Sequence, residues 1–137
     1  MDKQLIDKMV EAAADIIAKR NDGVNHTVGA AVATKDGKII TGVNLYHFTG
    51  GPCGEIVALA NAITNGEKDI IGVVAVGDRQ RSVIAPCGRC RQILFEYYPD
   101  MSAIISKNGE HVAKPIRELL PEVYDCNAEQ IDEVVTQ

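Results

Sequence analysis

Apolar residues at helical spacing mark the first element of the chain. Over residues 3–20 they recur every three or four positions, and most residues between them are charged. This 3.6-residue period predicts one amphipathic helix with a single buried face. Gly23 follows shortly after it and favours the end of a helix. The apolar positions are Leu5, Ile6, Met9, Val10, Ala13, Ile16 and Ile17.

Two pairs of short apolar segments flank glycine-containing turns. Asp-Gly and Asn-Gly accept the positive φ angles of a tight turn, so each pair predicts a β-hairpin. The first hairpin comprises residues 28–34 and 38–45 around Lys35-Asp36-Gly37, and the second comprises residues 102–105 and 111–113 around Lys107-Asn108-Gly109.

Residues 70–76 form an unbroken apolar run rich in β-branched side chains, which is typical of a strand covered on both faces. The pattern predicts a helix on either side of this strand, from Cys53 to about Asn65 and from Cys87 to about Tyr98. Residues 77–85 are predicted to form a charged loop. The predicted buried face of the earlier helix consists of Ile56, Val57, Ala60 and Ile63.

The order of these elements predicts an α/β fold, a three-layer α/β/α sandwich around a mixed five-stranded sheet. A short helix is expected from Pro115 to Leu120, and a last one over residues 127–135. The 137 residues form one domain, 1–137, in which residues 125–137 are a divergent tail. Ligands bind such sheets where strands end and helices begin.

Composition narrows the possible partners of the chain. Its net charge is −5, and its cationic residues are scattered, which disfavours a nucleic-acid partner. It has no run of eighteen apolar residues, so we expect no membrane partner. The first four residues, Met1-Asp2-Lys3-Gln4, are unlike a signal peptide. We therefore expect a cytoplasmic protein whose thiols stay reduced.

Three cysteines and one glutamate lie at the starts of the two central predicted helices. Cys87 and Cys90 have the CxxC spacing with which two thiolates bind one ion, and Cys53 would supply a third ligand. Catalytic zinc usually takes three protein ligands and leaves the fourth position to water. Glu55 would lie beside that position without binding the metal. The pattern predicts one catalytic Zn²⁺ per subunit, with Glu55 moving protons.

Two simpler interpretations use only part of this pattern. A CxxC pair alone is typical of thioredoxin-like redox proteins, but this leaves Cys53 and Glu55 without a part in the chemistry. A structural zinc site would need a fourth protein ligand, and the histidines that could supply it are His26, His47 and His111.

Over about residues 1–124 the chain resembles the cytidine deaminase superfamily, most closely the blasticidin-S deaminases. Such zinc deaminases carry His or Cys, any residue, Glu, and later Pro-Cys-x-x-Cys. The resemblance implies that Glu55 takes a proton from water, delivers it to ring atom N3 and then protonates the leaving ammonia. The residues that carry the resemblance are Thr41–Asn44, Tyr46–Cys53, Glu55, Pro86–Gln92 and Ile116–Pro121.

The resemblance also implies five substrate-binding residues. The side chain of Asn44 and the backbone of Gly54 correspond to groups that hold the sugar and the base. Tyr46 stands where cytidine deaminases carry the glutamate that binds the ribose hydroxyls. His26 replaces a phenylalanine of those enzymes, and Tyr124 matches a tyrosine of the blasticidin-S deaminases.

The substrate implied by the resemblance is a small-molecule cytosine nucleoside that loses its 4-amino group. Tyr46 and the negative charge favour a cationic, blasticidin-S-like nucleoside, whereas Cys126 stands where blasticidin-S deaminases carry a tryptophan. Cytidine or deoxycytidine is the second candidate. From another class of protein, an inactive zinc-binding module is an alternative that Glu55 disfavours. A nucleic-acid deaminase is third and is disfavoured by the acidity of the chain. We expect Cys126 to be a free thiol.

Zn²⁺ with three thiolates carries a net charge of −1, which weakens it as an acid. Arg89 lies between two of the ligands and Arg91 follows the second, so both are candidates to offset this charge. The simpler interpretation is that the two arginines only contact the backbone or the surface. The resemblance further implies a homotetramer whose active sites are completed by neighbouring subunits.

Overall fold

The computed structural model describes residues 1–125 of the chain, in which a mixed β-sheet separates one helix from two others. The expected helix over 127–135 and the Cys126 thiol lie outside this part. The helices are α1 (Lys3–Arg20), α2 (Gly54–Thr64) and α3 (Gly88–Tyr97), and a 3₁₀ turn covers Ile116–Leu119. The strands are β1 (Val28–Thr34), β2 (Ile39–Val43), β3 (Ile70–Gly77), β4 (Val83–Ile84), β5 (Ser102–Lys107) and β6 (Glu110–Pro115).

The sheet has the order β2-β1-β3-β5-β6, and β4 pairs with β3 outside this path. Strand β1 is antiparallel to both β2 and β3, while β5 is parallel to β3. Strands β2, β3 and β5 therefore run in one direction, and α2 and α3 are the crossovers between them. The predicted three-layer sandwich is confirmed, with a sixth strand added.

Strand β4 lies within the segment predicted to be a charged loop. Its two residues pair with Ala75 and Val76 of β3. The parallel partner β5 pairs with β3 only at Gly72 and Val73, so the rest of that edge accepts another strand. A strand of two residues is too short to show a hydrophobic period in the sequence. Its conformation is decided by pairing with the open edge of β3.

Helix α1 packs on one face of the sheet through Ile6, Met9, Ala13 and Ile17. The Leu5 N–H group donates to Asp2 Oδ1 at 2.8 Å and caps the start of the helix. The predicted helix and its buried face are confirmed. No helix within residues 1–125 combines the length and apolar character needed to cross a membrane.

The predicted buried face of α2 is wrong. The residues that face the sheet are Gly54, Glu55, Ala58, Leu59 and Ala62, whereas the predicted residues are half-buried or exposed. Apolar side chains surround much of this helix, so its periodicity does not select one face. The sheet does, because α2 packs its backbone against Gly42, where an added Cβ would lie 2.8 Å from the Val57 carbonyl carbon. This orientation turns Glu55 inward.

Candidate active site

The two crossover helices begin at the same edge of the sheet, and a cysteine occupies the N-cap of each. Cys53 precedes α2 and Cys87 precedes α3, with their sulfur atoms 3.9 Å apart. Cys90 completes the group from the first turn of α3, and all three Sγ atoms lie within 4.8 Å of one another. The structure thus brings together the three predicted metal ligands.

The donor set fits zinc. A tetrahedral Zn²⁺ with Zn–S bonds of about 2.3 Å requires sulfur atoms about 3.8 Å apart, close to the observed distance between Cys53 and Cys87. The positive ends of α2 and α3 favour thiolates at the two N-caps. Within residues 1–125 this is the only cluster of three or more histidine, cysteine or acidic side chains arranged to hold a metal ion.

Glu55 lies in the first turn of α2, where only 5% of its surface is exposed. The Cys90 Sγ atom donates to Glu55 Oε2 at 3.9 Å. Burial raises the pKa of the Glu55 carboxyl above its ordinary value. A carboxyl group whose pKa is shifted towards neutrality can both accept and release a proton at working pH.

The three thiols differ in acidity. Burial raises the pKa of the Cys53 and Cys90 thiols above their ordinary value. Burial acts in the same direction on Cys87, but hydrogen bonds from the Cys90 backbone N–H and thiol outweigh it and lower the Cys87 pKa. Cys87 is therefore the thiol that ionises most readily. Metal binding displaces the proton of each thiol that is still protonated.

A cleft of about 350 Å³ opens next to the cluster. Among the predicted site residues it is lined by Cys53, Cys87, Glu55, Asn44, Tyr46 and Gly54. It is also lined by Ile84 of β4 and by Ala85, the residue after that strand. Sequence reasoning missed both residues because their position depends on the pairing of β4 with β3. The size is within the range of small-molecule sites.

Comparison with known proteins assigns the family. Residues 3–106 match the family described as "Cytidine and deoxycytidylate deaminase zinc-binding region". The chain belongs to this deaminase family. The predicted superfamily and the predicted zinc cofactor are thereby confirmed.

Individual relatives of the chain support the same family assignment. The chain is 37% identical to the blasticidin-S deaminase of Bacillus cereus over 129 residues, which cover 88% of this chain and 92% of that protein. It is 37% identical to a cytidine deaminase of Halalkalibacterium halodurans over 98 residues, 69% of this chain and 74% of that protein. The structure of a cytidine deaminase from Burkholderia pseudomallei, 29% identical, gives a TM-score of 0.72 and covers 90% of this chain and 100% of its own.

Asn44 of the deaminase lines the cleft, but its side chain is largely bonded to the segment before β1. Asn44 Oδ1 accepts the N–H groups of Thr27 and Val28 at 2.7 and 2.9 Å. Asn44 Nδ2 makes longer contacts, 3.3 Å to the Asn25 carbonyl and 3.4 Å to Thr27 Oγ1. The amide orientation is therefore set by the backbone, and Nδ2 is the atom with capacity for a substrate.

His26 and Tyr124 are not among the described residues that line the cleft. The His26 Nδ1 atom lies 2.9 Å from the carbonyl oxygen of Asn44, so this ring supports a residue of the cleft. The Tyr124 carbonyl accepts from Gln92 Nε2 at 2.9 Å, and its side chain is exposed. A direct substrate contact of either residue stays a prediction.

Arg89 and Arg91 both donate to main-chain carbonyls near the ligands. Arg89 Nη1 lies 3.3 Å from the Gly50 carbonyl oxygen, in the loop that precedes Cys53. Arg91 Nε donates to the Pro86 carbonyl at 2.8 Å, and its Nη1 donates to the Leu119 carbonyl at 3.0 Å. These contacts place two guanidinium groups on the segments that carry the cysteines.

Proposed function

We propose that the chain hydrolytically removes the 4-amino group of a cytosine-type nucleoside, preferring a blasticidin-S-like substrate. The observation that carries this proposal is the buried Glu55 carboxyl beside three converging thiols at a cleft. A purely structural metal site has no use for such a carboxyl group. Cytidine or deoxycytidine deamination is the alternative within the same chemistry.

Proton transfer by Glu55 is the central step. Cys53, Cys87 and Cys90 would hold a Zn²⁺ ion, which would supply Lewis acidity that lowers the pKa of a water to about 7. Glu55 accepts a proton from water and passes it to ring atom N3 as a C–O bond forms at C4. Glu55 then takes the remaining proton from the new C4 hydroxyl and delivers it to the amino group. The C4–N bond breaks, a carbonyl forms at C4, and ammonia leaves.

The test of this function is ammonia release over a panel of cytosine nucleosides, with Glu55→Gln as the matched variant. The side chain keeps its shape but no longer accepts a proton, so we expect turnover to fall by at least about a hundredfold. Zinc content and thermal stability should stay at the wild-type level. Full turnover by the variant would refute the assignment of Glu55, and an inactive wild-type chain would favour a zinc-binding module.

The substrate preference rests on Tyr46, which lines the cleft. A tyrosine offers one hydroxyl and an apolar ring, whereas a glutamate accepts hydrogen bonds from vicinal ribose hydroxyls. A pocket without that acceptor tolerates sugars with other hydroxyl patterns. The 88% coverage by the blasticidin-S deaminase relative, against 69% by the cytidine deaminase relative, supports the same order.

The ratio of kcat/KM for blasticidin S and cytidine tests this preference. We expect the ratio to favour blasticidin S in the wild-type chain. Tyr46→Glu should restore an acceptor for the ribose hydroxyls and move the ratio towards cytidine, with Tyr46→Phe as the control that adds no acceptor. A preference of more than about a hundredfold for cytidine in the wild type would overturn the proposal.

Two residues are proposed to tune the metal. The net charge of −1 on Zn²⁺ with three thiolates must be offset for water to become acidic. The amino ends of α2 and α3 each supply about half a positive charge. We propose that Arg89 and Arg91 are a second source of positive charge, which their contacts beside Cys53 and Cys87 support.

The chain is further proposed to work as a cytoplasmic homotetramer. Its zinc thiolates require reducing surroundings. The outward face of α2 carries Ile56, Val57, Ala60 and Ile63, and Ile63 is 44% exposed. The exposed ring of Phe48 lies in the loop between β2 and α2. Apolar surface of this kind on a helix next to the active site supports contact between subunits.

A further inference from the structure

The loop between β3 and β4 contains an ion pair between a buried carboxylate and a half-exposed arginine, which the deamination chemistry does not use. The side chain of Asp78 is only 4% exposed, and Arg81 Nη2 donates to its Oδ1 atom at 2.7 Å. Among the residues that the structure describes, Asp78 Oδ2 has no hydrogen-bond partner, and Arg79 Nε lies 3.9 Å from it. A charge buried with one unsatisfied oxygen is costly, so a fold that keeps it has a compensating use for it.

The backbone of this loop is strained. Arg79 and Gln80 have φ angles of 53° and 62°, in the left-handed region that residues with a Cβ rarely adopt. Such a conformation persists only where the surrounding contacts impose it. The Arg81 side chain lies so close to Gly77 that a Cβ there would be 2.6 Å from Arg81 Nε.

The loop holds the carbonyl oxygen of Thr27. This oxygen accepts the Asp78 N–H at 2.8 Å and Arg81 Nη2 at 2.9 Å. The same peptide segment binds the Asn44 amide, since the Thr27 N–H donates to Asn44 Oδ1 at 2.7 Å. Thr27 is thus held between the ion pair and a side chain that lines the cleft.

We propose that Asp78 and Arg81 are positioning residues that set the orientation of Asn44 through Thr27. Asp78 orients the guanidinium group, Arg81 fixes the Thr27 peptide, and that peptide directs Asn44 Nδ2 to the substrate. The same segment accepts the Tyr46 N–H at the Asn25 carbonyl, 3.0 Å away. This inference rests on the proposed function, because it assumes that Asn44 contacts the nucleoside.

The kinetic test compares Arg81→Gln with Arg79→Gln, which removes the same charge from the same loop. Arg79 is the matched control because its side chain is 74% exposed and donates to the Gly23 carbonyl instead of Thr27. Its Nε atom also lies 3.9 Å from Asp78 Oδ2, but an ion pair this long and exposed contributes little. We expect Arg81→Gln to lower kcat/KM by about ten- to a hundredfold, mainly through KM, with zinc content unchanged. Arg79→Gln should stay within about twofold of wild type, and Arg81→Lys should recover part of the loss.

A double-mutant cycle separates positioning from general destabilisation. If Arg81 acts through Asn44, Arg81→Gln has no further effect on kcat/KM in the Asn44→Ala background. If the losses multiply instead, the inference is wrong. Asp78→Asn should reproduce the Arg81→Gln phenotype, which keeps the test valid should one variant fold poorly.

A measurement without turnover keeps this inference separate from the proposed function. The Asn44 side-chain NH₂ signals in an amide NMR spectrum should shift in Arg81→Gln and stay in place in Arg79→Gln. If the Asn44 signals do not move in Arg81→Gln, the proposal that Arg81 sets the orientation of Asn44 is wrong. An inactive wild-type chain would refute the proposed function, and with it the part played by Asn44 in substrate binding.

Discussion

At the scale of single residues, two arginines of the site donate to the backbone of the segments that carry the cysteines. Arg89 contacts the carbonyl of Gly50, three residues before Cys53, and Arg91 contacts the carbonyl of Pro86, directly before Cys87. Each guanidinium group therefore combines a positive charge near the metal with support for the segment that carries a ligand. A variant that removes the positive charge directly tests whether that charge affects the acidity of the water.

We expect Arg89→Gln and Arg91→Gln to shift the acid limb of the kcat profile to higher pH. Removing a nearby positive charge makes it harder to withdraw a proton from water, so its pKa rises. The control is Arg20→Gln, which removes the same charge from the last turn of α1 on the other face of the sheet. Unchanged profiles in both test variants would remove the tuning proposal, and a lower melting temperature alone would leave only the backbone contacts.

At the scale of the elements, α2 is positioned by direct contact of its backbone with β2. A methyl group at Gly42 would collide with the backbone at Val57 and Ala58, so the helix would have to move. We expect Gly42→Ala to destabilise the chain by about 1–3 kcal/mol. Zinc affinity should fall as well, because α2 carries Cys53 at its start.

Chemical denaturation and zinc titration measure these effects. Gly88→Ala is the matched control, since within residues 1–125 no atom outside the local chain lies within 4 Å of an added Cβ at Gly88. This control should be as stable as wild type. Wild-type stability in Gly42→Ala would show that α2 can shift without cost.

At the scale of the whole molecule, the outward apolar face of α2 predicts assembly. We expect sedimentation at micromolar concentration to give the mass of a tetramer. Ile63→Glu places a charge on this face and should reduce the assembled mass, whereas Val24→Glu adds the same charge at an exposed apolar position outside α2. A monomeric mass for the wild-type chain would contradict the proposal.

The sequence by itself determined the elements with local signals and the identity of the metal ligands. Helix α1, both hairpins and the apolar strand β3 follow from periodicity and turn residues, which act over a few positions of the chain. Cys87 and Cys90 follow from the CxxC spacing, because the first turn of one helix brings them together. Cys53 follows from the Cys-x-Glu part of the zinc deaminase pattern, and the tertiary structure brings its Sγ atom to within 4.8 Å of the other two.

Only the tertiary structure decided which face of α2 is buried, where β4 forms and how Asn44 is bonded. The face of α2 depends on the close approach at Gly42, and β4 depends on the edge that β5 leaves open. The bonding of Asn44 depends on Thr27, seventeen residues away along the chain. Each of these contacts joins distant segments, and their energy comes from packing and hydrogen bonding that no local pattern records.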